Sequence, residues 1–420
     1  MKARFSPRTR MTPGVNALRG FAVAALATFA VGLAVAQQTP ATPAKPAAAA
    51  LSSNLPVPPP PAITGKAWIL VDAASGNVLA GENYDTPLEP ASITKVMTSY
   101  VIAAELAGGK IKETDQVMMS ENAWRQGGAG TDGSYSGFEV NKTAPLEQME
   151  KGMVVQSGND AAIALAEHVA GSTDAFAQLM NMYAQRIGMK SSNFVNPHGL
   201  PAEGHVSTAR DLAMLGRALI HDFPKAYSYN KIKEFTVGPI TQPNRNLLLW
   251  RDSTVDGIKT GHTAAAGYCL VATAKRDLPN VGSRRLISIV LGAASENARA
   301  NESQKLLNWG YAAFDSVKLF DAEQAVATPE VWKGKAGTVK IGRTTPIVVT
   351  VPAGSGGKLS TEVVRQDPLI APFTKGQAMG TLKVKLGADT VAEVPLVALE
   401  GVEQAGFFGR AWDAIRLWIK

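Results

Sequence analysis

Apolar side chains recur with helical spacing in the stretch that follows Pro90. They stand three or four residues apart, at Ile93, Val96, Met97, Tyr100, Val101 and Ala104. This spacing places them on one face of a helix. The pattern therefore predicts a helix that begins near Ser92 and packs one face against a core.

The pattern elsewhere divides the ordered part of the chain into two kinds of segment. Strands are predicted at 67–72, 78–80, 268–274 and 286–291, and helices at 146–155, 161–169, 175–187, 211–220 and 299–314. Early strands, a helical middle and late strands are typical of an α+β domain whose sheet joins both ends of the segment. We expect this domain at 63–320. Short alternating runs at 338–341, 347–351, 381–386 and 391–397 predict a small all-β sandwich at 321–402.

The last segment, 403–420, has a different texture. Large apolar residues cluster near one helical face, and basic residues supply its charge: Phe408, Trp412, Ile415 and Ile419, with Arg410, Arg416 and Lys420. This composition favours an amphipathic helix lying in a membrane interface. The alternative is a helix that packs on its own domain.

The charge and composition of the N-terminal residues predict a targeting segment. Residues 1–36 carry five basic residues and no acid, then an apolar stretch ending in Ala34-Val35-Ala36. This arrangement predicts a secretory signal cleaved after Ala36, and hence an exported protein. Without it, 37 basic residues face 35 acidic ones, so the net charge of +7 gives no support to nucleic-acid binding. Residues 37–62 are rich in Ala and Pro and predict a disordered linker.

The segment 120–140 contains repeated glycines and predicts a loop. Such a loop is either the rim of a binding site or a surface excursion.

Three short motifs carry the candidate chemistry. Ser92-Ile93-Thr94-Lys95 opens the apolar helix, Ser157-Gly158-Asn159 precedes another helix, and Lys259-Thr260-Gly261 leads into a strand. A serine and a lysine one helical turn apart form a nucleophile with an adjacent base once the lysine has lost its proton. The His, Cys, Asp and Glu residues show no metal-ligand spacing, so we expect neither a metal nor another cofactor.

These motifs, in this order, resemble those of the serine penicillin-recognising enzymes. The chain looks most like a low-molecular-mass penicillin-binding protein of the D-alanyl-D-alanine carboxypeptidase type. The resemblance covers roughly 63–420, and the stretches 207–211, 242–246, 255–263, 301–303 and 406–410 support it. It implies a penicillin-binding, β-lactamase-like catalytic domain followed by a β domain and a C-terminal helix.

The resemblance and the chemistry together suggest a role for each candidate residue. Ser92 is expected to attack the carbonyl between two D-alanines, with Lys95 as base and Ser157 as proton relay. Lys259 is expected to lower the pKa of Lys95. Asn159 is a candidate for binding the substrate amide. Lys259 and Thr260, with Arg245 or Arg299, are candidates for binding its carboxylate. Gly261 and His262 are also expected to bind the substrate, and the backbone N–H groups of Ser92 and His262 are expected to hold the oxyanion.

The resemblance implies peptidoglycan stem peptides as substrates, β-lactams as covalent inhibitors and a role in the cell wall. Enzyme alternatives are a β-lactamase, which lacks support because 193–203 contains no Glu-x-x-x-Asn element, and a D,D-endopeptidase. A non-catalytic, peptidoglycan-binding envelope protein is the alternative from another class. We expect the mature protein on the extracytoplasmic face of the cytoplasmic membrane.

Overall fold

The computed structural model describes residues 57–131, 133–279 and 281–419. The predicted signal peptide and residues 37–56 of the predicted linker lie outside these residues. The described end of the predicted linker is not detached from the fold, because Val57 packs against the core beneath the main sheet.

The first part of the chain combines strands and helices. Its strands are β1 (Ala67–Asp72), β2 (Val78–Glu82), β3 (Gln116–Met118), β4 (Thr143–Pro145), β5 (Glu234–Val237), β6 (Ile240–Pro243), β7 (Val255–Thr263), β8 (Gly267–Leu278) and β9 (Gly282–Ala293). Its helices are α1 (Thr94–Ala107), α2 (Glu121–Gly127), α3 (Leu146–Val155), α4 (Asn159–Ala170), α5 (Thr173–Ile187), α6 (Ala209–Asp222), α7 (Pro224–Ser228), α8 (Leu248–Arg251) and α9 (Glu296–Ala313). Short 3₁₀ helices occur at Ala91–Ile93 and Tyr229–Lys231.

An antiparallel sheet in the order β2-β1-β9-β8-β7 joins the two ends of this part, as predicted. Side chains on alternate positions of β1 enter different cores: Ile69 faces the helices and Leu70 faces α9. Both faces of the sheet are therefore covered. The strand β7 lies at one edge, where its outer side borders the 3₁₀ helix Ala91–Ile93.

Side-chain caps fix several helix starts that periodicity alone placed two or three residues late. The hydroxyl oxygens of Ser172, Thr208 and Ser295 accept hydrogen bonds from the backbone of the third residue of α5, α6 and α9. Ser120 caps α2 in the same way. The segment 120–140 is therefore not a loop throughout, because its first third is helical.

The second part is an all-β domain followed by a helix, as predicted. Its elements are β10 (Phe314–Phe320), β11 (Ala325–Ala327), β12 (Val331–Trp332), β13 (Ile341–Gly342), β14 (Ile347–Pro352), β15 (Leu359–Val364), β16 (Leu369–Ile370), β17 (Ala378–Leu386), β18 (Asp389–Ala398) and α10 (Phe407–Ile419). The main sheet has the order β11-β13-β18-β17-β15. β10 pairs with β14, so residues 314–320 belong with this domain rather than with the preceding one.

A buried polar joint connects the two domains. The carboxylate of Asp72, at the end of β1, accepts hydrogen bonds from Arg284 Nε at 3.2 Å and from Thr350 Oγ1 at 2.8 Å. Arg284 also donates to the carbonyl of Phe314, at the junction, at 2.8 Å. Asn77 donates to the carbonyl of Val391 at 3.2 Å. Buried polar groups must be satisfied, so these bonds favour one orientation of the domains.

The exposed helix α10 is amphipathic, with no buried residue among those described. Its largest apolar side chains are strongly exposed, with 87% of Phe408 and 89% of Trp418 accessible. Among the described helices, α10 included, none has the length and hydropathy needed to cross a membrane.

The joint can be tested with Thr350→Val, which removes one bond to buried Asp72. We expect the free energy of unfolding to fall by about 1–3 kcal/mol, because an acceptor loses its partner. Urea unfolding measures this change. Thr361→Val, on the exposed side of β15, is the matched control. If the two variants have equal free energies of unfolding, the Thr350–Asp72 hydrogen bond does not stabilise the contact between the domains.

Candidate active site

The 3₁₀ helix Ala91–Ile93 presents Ser92 at the start of α1. Ala91 and Ile93 are buried, whereas Ser92 is partly exposed. Two glycines let other segments pack closely behind this turn: a Cβ on Gly199 would lie 1.9 Å from the carbonyl oxygen of Ala91, and one on Gly261 would lie 3.2 Å from the backbone nitrogen of Ser92. The fold therefore brings β7 directly against Ser92.

Lys95 lies one turn after Ser92 and is 1% exposed. Its Nζ is 3.0 Å from Ser92 Oγ, 2.7 Å from Asn159 Oδ1 and 2.7 Å from the carbonyl oxygen of His198. Burial, followed by the positive charge of Arg245, lowers the pKa of Lys95 to about 7. Lys95 therefore reaches its neutral form near physiological pH while in contact with the Ser92 hydroxyl.

The Ser157 turn directly precedes α4, whose first residue, Asn159, contacts the same lysine. Ser157 is buried and has a φ of 64°, a left-handed conformation that is uncommon for serine. No described residue forms a hydrogen bond with its Oγ, which leaves the hydroxyl able to exchange a proton with a ligand. The side-chain oxygen of Asn159 is already bound to Lys95, so Asn159 first orients the base rather than an incoming amide.

The third motif lies on β7. Lys259 and Thr260 are 4% and 5% exposed. Burial, followed by the charges of Lys95, Arg245 and Arg299, lowers the pKa of Lys259 well below its ordinary value. Lys95 thus lowers the pKa of Lys259, but the charge that lowers the pKa of Lys95 is that of Arg245 rather than the expected Lys259. The imidazole of His262 is exposed and stacks on Tyr268 with ring centres 4.0 Å apart.

The two candidate arginines occupy different positions. Arg245 is partly buried, and its guanidinium donates to the hydroxyl of Ser134. Arg299 is 2% exposed and already bound: it donates to the carbonyls of Gly261 at 3.1 Å and Arg245 at 3.4 Å, and to Glu296 at 3.0 Å. Arg299 therefore supports the site from beneath, whereas Arg245 keeps capacity for a ligand.

The glycine-rich segment forms one wall of the site. The carboxylate of Asp160, in the first turn of α4, accepts the backbone N–H and the hydroxyl of Ser136, each at 2.8 Å. The carbonyl of Ser134 accepts the backbone N–H of Asn159 at 2.7 Å. Of the two readings of this loop, the structure supports the rim of a site.

Sequence reasoning missed Ser134 and the His198 carbonyl as parts of the site. The repeated glycines pointed to the loop but not to a residue within it. A backbone carbonyl carries no signal in the sequence, and only the packing of 196–199 against the start of α1 brings it to Lys95.

Comparisons with known proteins identify the family to which this fold and these motifs are similar. A model of the D-alanyl-D-alanine carboxypeptidase family matches residues 54–295, and one of the penicillin-binding protein 5 C-terminal domain matches 314–404. The chain is 46% identical over 360 residues to D-alanyl-D-alanine carboxypeptidase DacC of Escherichia coli K12, covering 85% of this chain and 89% of that protein. It is 43% identical over 364 residues to DacA of the same strain, covering 86% and 89%.

Solved structures show the same similarity. Penicillin-binding protein 5 from Haemophilus influenzae superposes with a TM-score of 0.75 at 39% identity, covering 83% of this chain and all of that one. The D-alanyl-D-alanine carboxypeptidase DacD from Francisella tularensis gives 0.65 at 33% identity, covering 83% and 95%.

The environment of Lys95 predicts a pH dependence. Its pKa is lowered from 10.5 to about 7, so the neutral, base-competent form is lost as the pH falls through 7. We expect the rate constant for acylation of Ser92 by a penicillin to decline below about pH 7. We call this decline the acid limb of the pH profile.

Arg245→Met removes a nearby positive charge, so the Lys95 pKa should rise and the acid limb should move to higher pH. Stopped-flow acylation across pH 5–9 measures both effects. If the pH below which acylation slows is the same in Arg245→Met as in the wild type, this assignment is contradicted.

Proposed function

The chain belongs to the D-alanyl-D-alanine carboxypeptidase family, and we propose that Ser92 is the nucleophile with which this enzyme removes the terminal D-alanine of peptidoglycan pentapeptides. The observation that carries the proposal is the 3.0 Å contact between Ser92 Oγ and the buried amine of Lys95. A hydroxyl with a neutral amine within hydrogen-bond reach is an activated nucleophile.

In the acylation step, Ser92 Oγ attacks the carbonyl carbon of the penultimate D-alanine while Lys95 accepts the hydroxyl proton. The resulting oxyanion is held by the backbone N–H of Ser92 and that of His262. As the C–N bond breaks, Ser157 gives its hydroxyl proton to the leaving amine and takes back from Lys95 the proton that came from Ser92, so D-alanine departs and Lys95 is again neutral. Water then hydrolyses the acyl-enzyme, regenerating Ser92.

Substrate choice rests on the free C-terminal carboxylate. Lys259, Thr260 and Arg245 together form the candidate carboxylate site, where a guanidinium can bind both oxygens of a planar carboxylate. Asn159 orients Lys95 through its side-chain oxygen, so its side-chain NH₂ group is the part that remains for the substrate. Arg299 supports this site through Gly261 and Arg245.

The same attack explains covalent capture of β-lactams. A β-lactam presents a strained amide beside a carboxylate, so Ser92 opens the ring and remains acylated. The family name of the C-terminal domain and a solved cefotaxime-bound relative, penicillin-binding protein D2 from Listeria monocytogenes, support this extension.

Ser92→Ala is the direct test of the nucleophile. We expect it to abolish both covalent labelling by a fluorescent penicillin and D-alanine release from a pentapeptide, because no oxygen remains to form the acyl bond. Ser228→Ala and Ser355→Ala are matched controls, since each serine also stands three residues before a lysine. Peptide mapping that finds the label at either control serine would refute the assignment.

We further propose that the mature protein is exported and lies on the extracytoplasmic face of the cytoplasmic membrane, held there by α10. Its exposed aromatic face supports this, because fully burying one large apolar side chain contributes roughly 1.5–3 kcal/mol. The helix contacts its own domain through charged residues instead: Asp413 accepts the backbone N–H of Lys333 at 2.7 Å, and Arg416 lies over Trp332. The β domain then acts as a stalk beneath the catalytic domain.

Truncation after Gly401 tests the anchor. We expect the shortened protein to lose sedimentation with anionic vesicles while it keeps activity on small peptides, because every proposed catalytic residue precedes residue 300. Raising the salt concentration should weaken binding of the full chain in part, through screening of its basic residues. Vesicle binding that survives truncation would exclude α10 as the anchor, and loss of peptide activity would favour a packed helix.

A further inference from the structure

The segment that carries Arg245 is fixed by buried asparagines on either side of it. Asn244 and Asn246 are 7% and 1% exposed. The side-chain oxygen of Asn244 accepts the backbone N–H of Asn246 at 3.0 Å, and that of Asn246 accepts the N–H of Leu248 at 3.2 Å. Both asparagine side chains therefore bind backbone groups, whereas the Arg245 guanidinium donates to Ser134 in the wall of the site.

The nitrogen ends of the two asparagines reach different neighbours. Asn244 Nδ2 donates to the carbonyls of Asn230 at 3.3 Å and Ile232 at 3.1 Å. Asn246 Nδ2 donates to the carbonyl of Gly257 at 3.1 Å. Gly257 lies on β7, two residues before Lys259. The Asn246 side chain is therefore a direct link between the Arg245 segment and the strand that carries the second cation.

Arg299 provides a second link from the other side of Lys259. It donates to the carbonyl of Gly261, two residues after Lys259, and to the carbonyl of Arg245. The Arg245 segment is thus connected to β7 at both positions that flank Lys259.

The links from Asn246 and Arg299 to β7 oppose an electrostatic repulsion within the site. The positive charges of Arg245 and protonated Lys259 repel one another in a partly buried site more strongly than in water, and this repulsion contributes to the lowered pKa of Lys259. Without a ligand carboxylate between them, the two side chains would be driven apart unless their backbones were held. Groups held in their bound geometry beforehand need no reorganisation when the substrate arrives.

We infer that Asn246 is a positioning residue that, with Arg299, holds Arg245 at a fixed separation from Lys259 so that both cations meet one carboxylate. This inference rests on the proposed carboxylate site. It assigns to Asn246 no contact with substrate. Its effect on catalysis passes through Arg245.

The test compares a peptide ending in D-Ala-D-Ala with its C-terminal amide, on enzyme whose active fraction is titrated with penicillin. In Asn246→Ala we expect kcat/KM for the peptide with a free carboxylate to fall roughly 10- to 100-fold, mainly through a higher KM. The reason is that a displaced Arg245 binds the carboxylate less tightly and aligns it less well. The slower reaction of the amide should change little. The acid limb of the pH profile should also move to higher pH, as in Arg245→Met.

Asn246→Asp is the second variant, should Asn246→Ala fold poorly. It keeps an acceptor for the N–H of Leu248 but replaces the donor to Gly257 with an oxygen, so the same loss of discrimination is expected. Asn181→Ala is the matched control, because Asn181 also binds two backbone groups, both of Phe194, away from Arg245 and β7. It should leave the acid-to-amide ratio and the pH limb unchanged.

Three results would overturn the inference. If wild-type enzyme discriminates between acid and amide, and both Asn246 variants do so equally well with an unshifted pH limb, Asn246 does not position Arg245, while the proposed carboxylate site stands. A uniform loss of activity towards both substrates would assign Asn246 a purely structural role. If the wild-type enzyme itself turns over acid and amide equally, the carboxylate site fails and the inference fails with it.

Discussion

The burial of one amine governs this structure. Lys95 lies in the interior with its Nζ held by Ser92 Oγ, Asn159 Oδ1 and the His198 carbonyl. A buried ammonium that forms no ion pair is unstable in its charged form, so burial and the charge of Arg245 lower the pKa of Lys95 to about 7, although the charge of Asp160 partly opposes them. To achieve this, α1 must be surrounded by α4, the 196–199 turn and β7, and these elements bring the remaining chemistry with them.

The electrostatics of the site follow from the kind of acceptor that surrounds each cation. Lys95, Lys259 and the Nη1 atom of Arg299 are bound to hydroxyl, amide or backbone oxygens, which satisfy donors without cancelling charge. Among the described residues, Glu296 is the only acid that forms an ion pair with any of these three side chains, through the other terminal nitrogen of Arg299, Nη2. A net positive site therefore persists, and under the proposed function a substrate carboxylate would supply the missing negative charge.

Contacts between the domains set the orientation of the catalytic site relative to the rest of the molecule. Asp72 joins β1 of the catalytic sheet to Arg284 and to Thr350 of the β domain, and β10 pairs within the β domain directly after α9 ends. At the far end, Asp413 and Arg416 hold α10 by its polar side and leave its aromatic face outward. Under the proposed membrane anchoring by α10, these contacts would hold the catalytic domain at a set distance from the surface.

Local sequence determined the elements and the motifs. The 3.6-residue period located α1 and α3, and Ser92, Lys95, Ser157 and Lys259 were recognisable because the first two lie one helical turn apart and all belong to short motifs in a set order. Tertiary structure decided which groups meet. Arg245 and Arg299 are indistinguishable as residue types, yet Arg245 is partly exposed and donates to Ser134, whereas Arg299 is buried and donates to the carbonyl of Gly261 on β7. Ser134 and the His198 carbonyl join the site only through folding, because contacts between segments many residues apart depend on packing and leave no periodic trace in the chain.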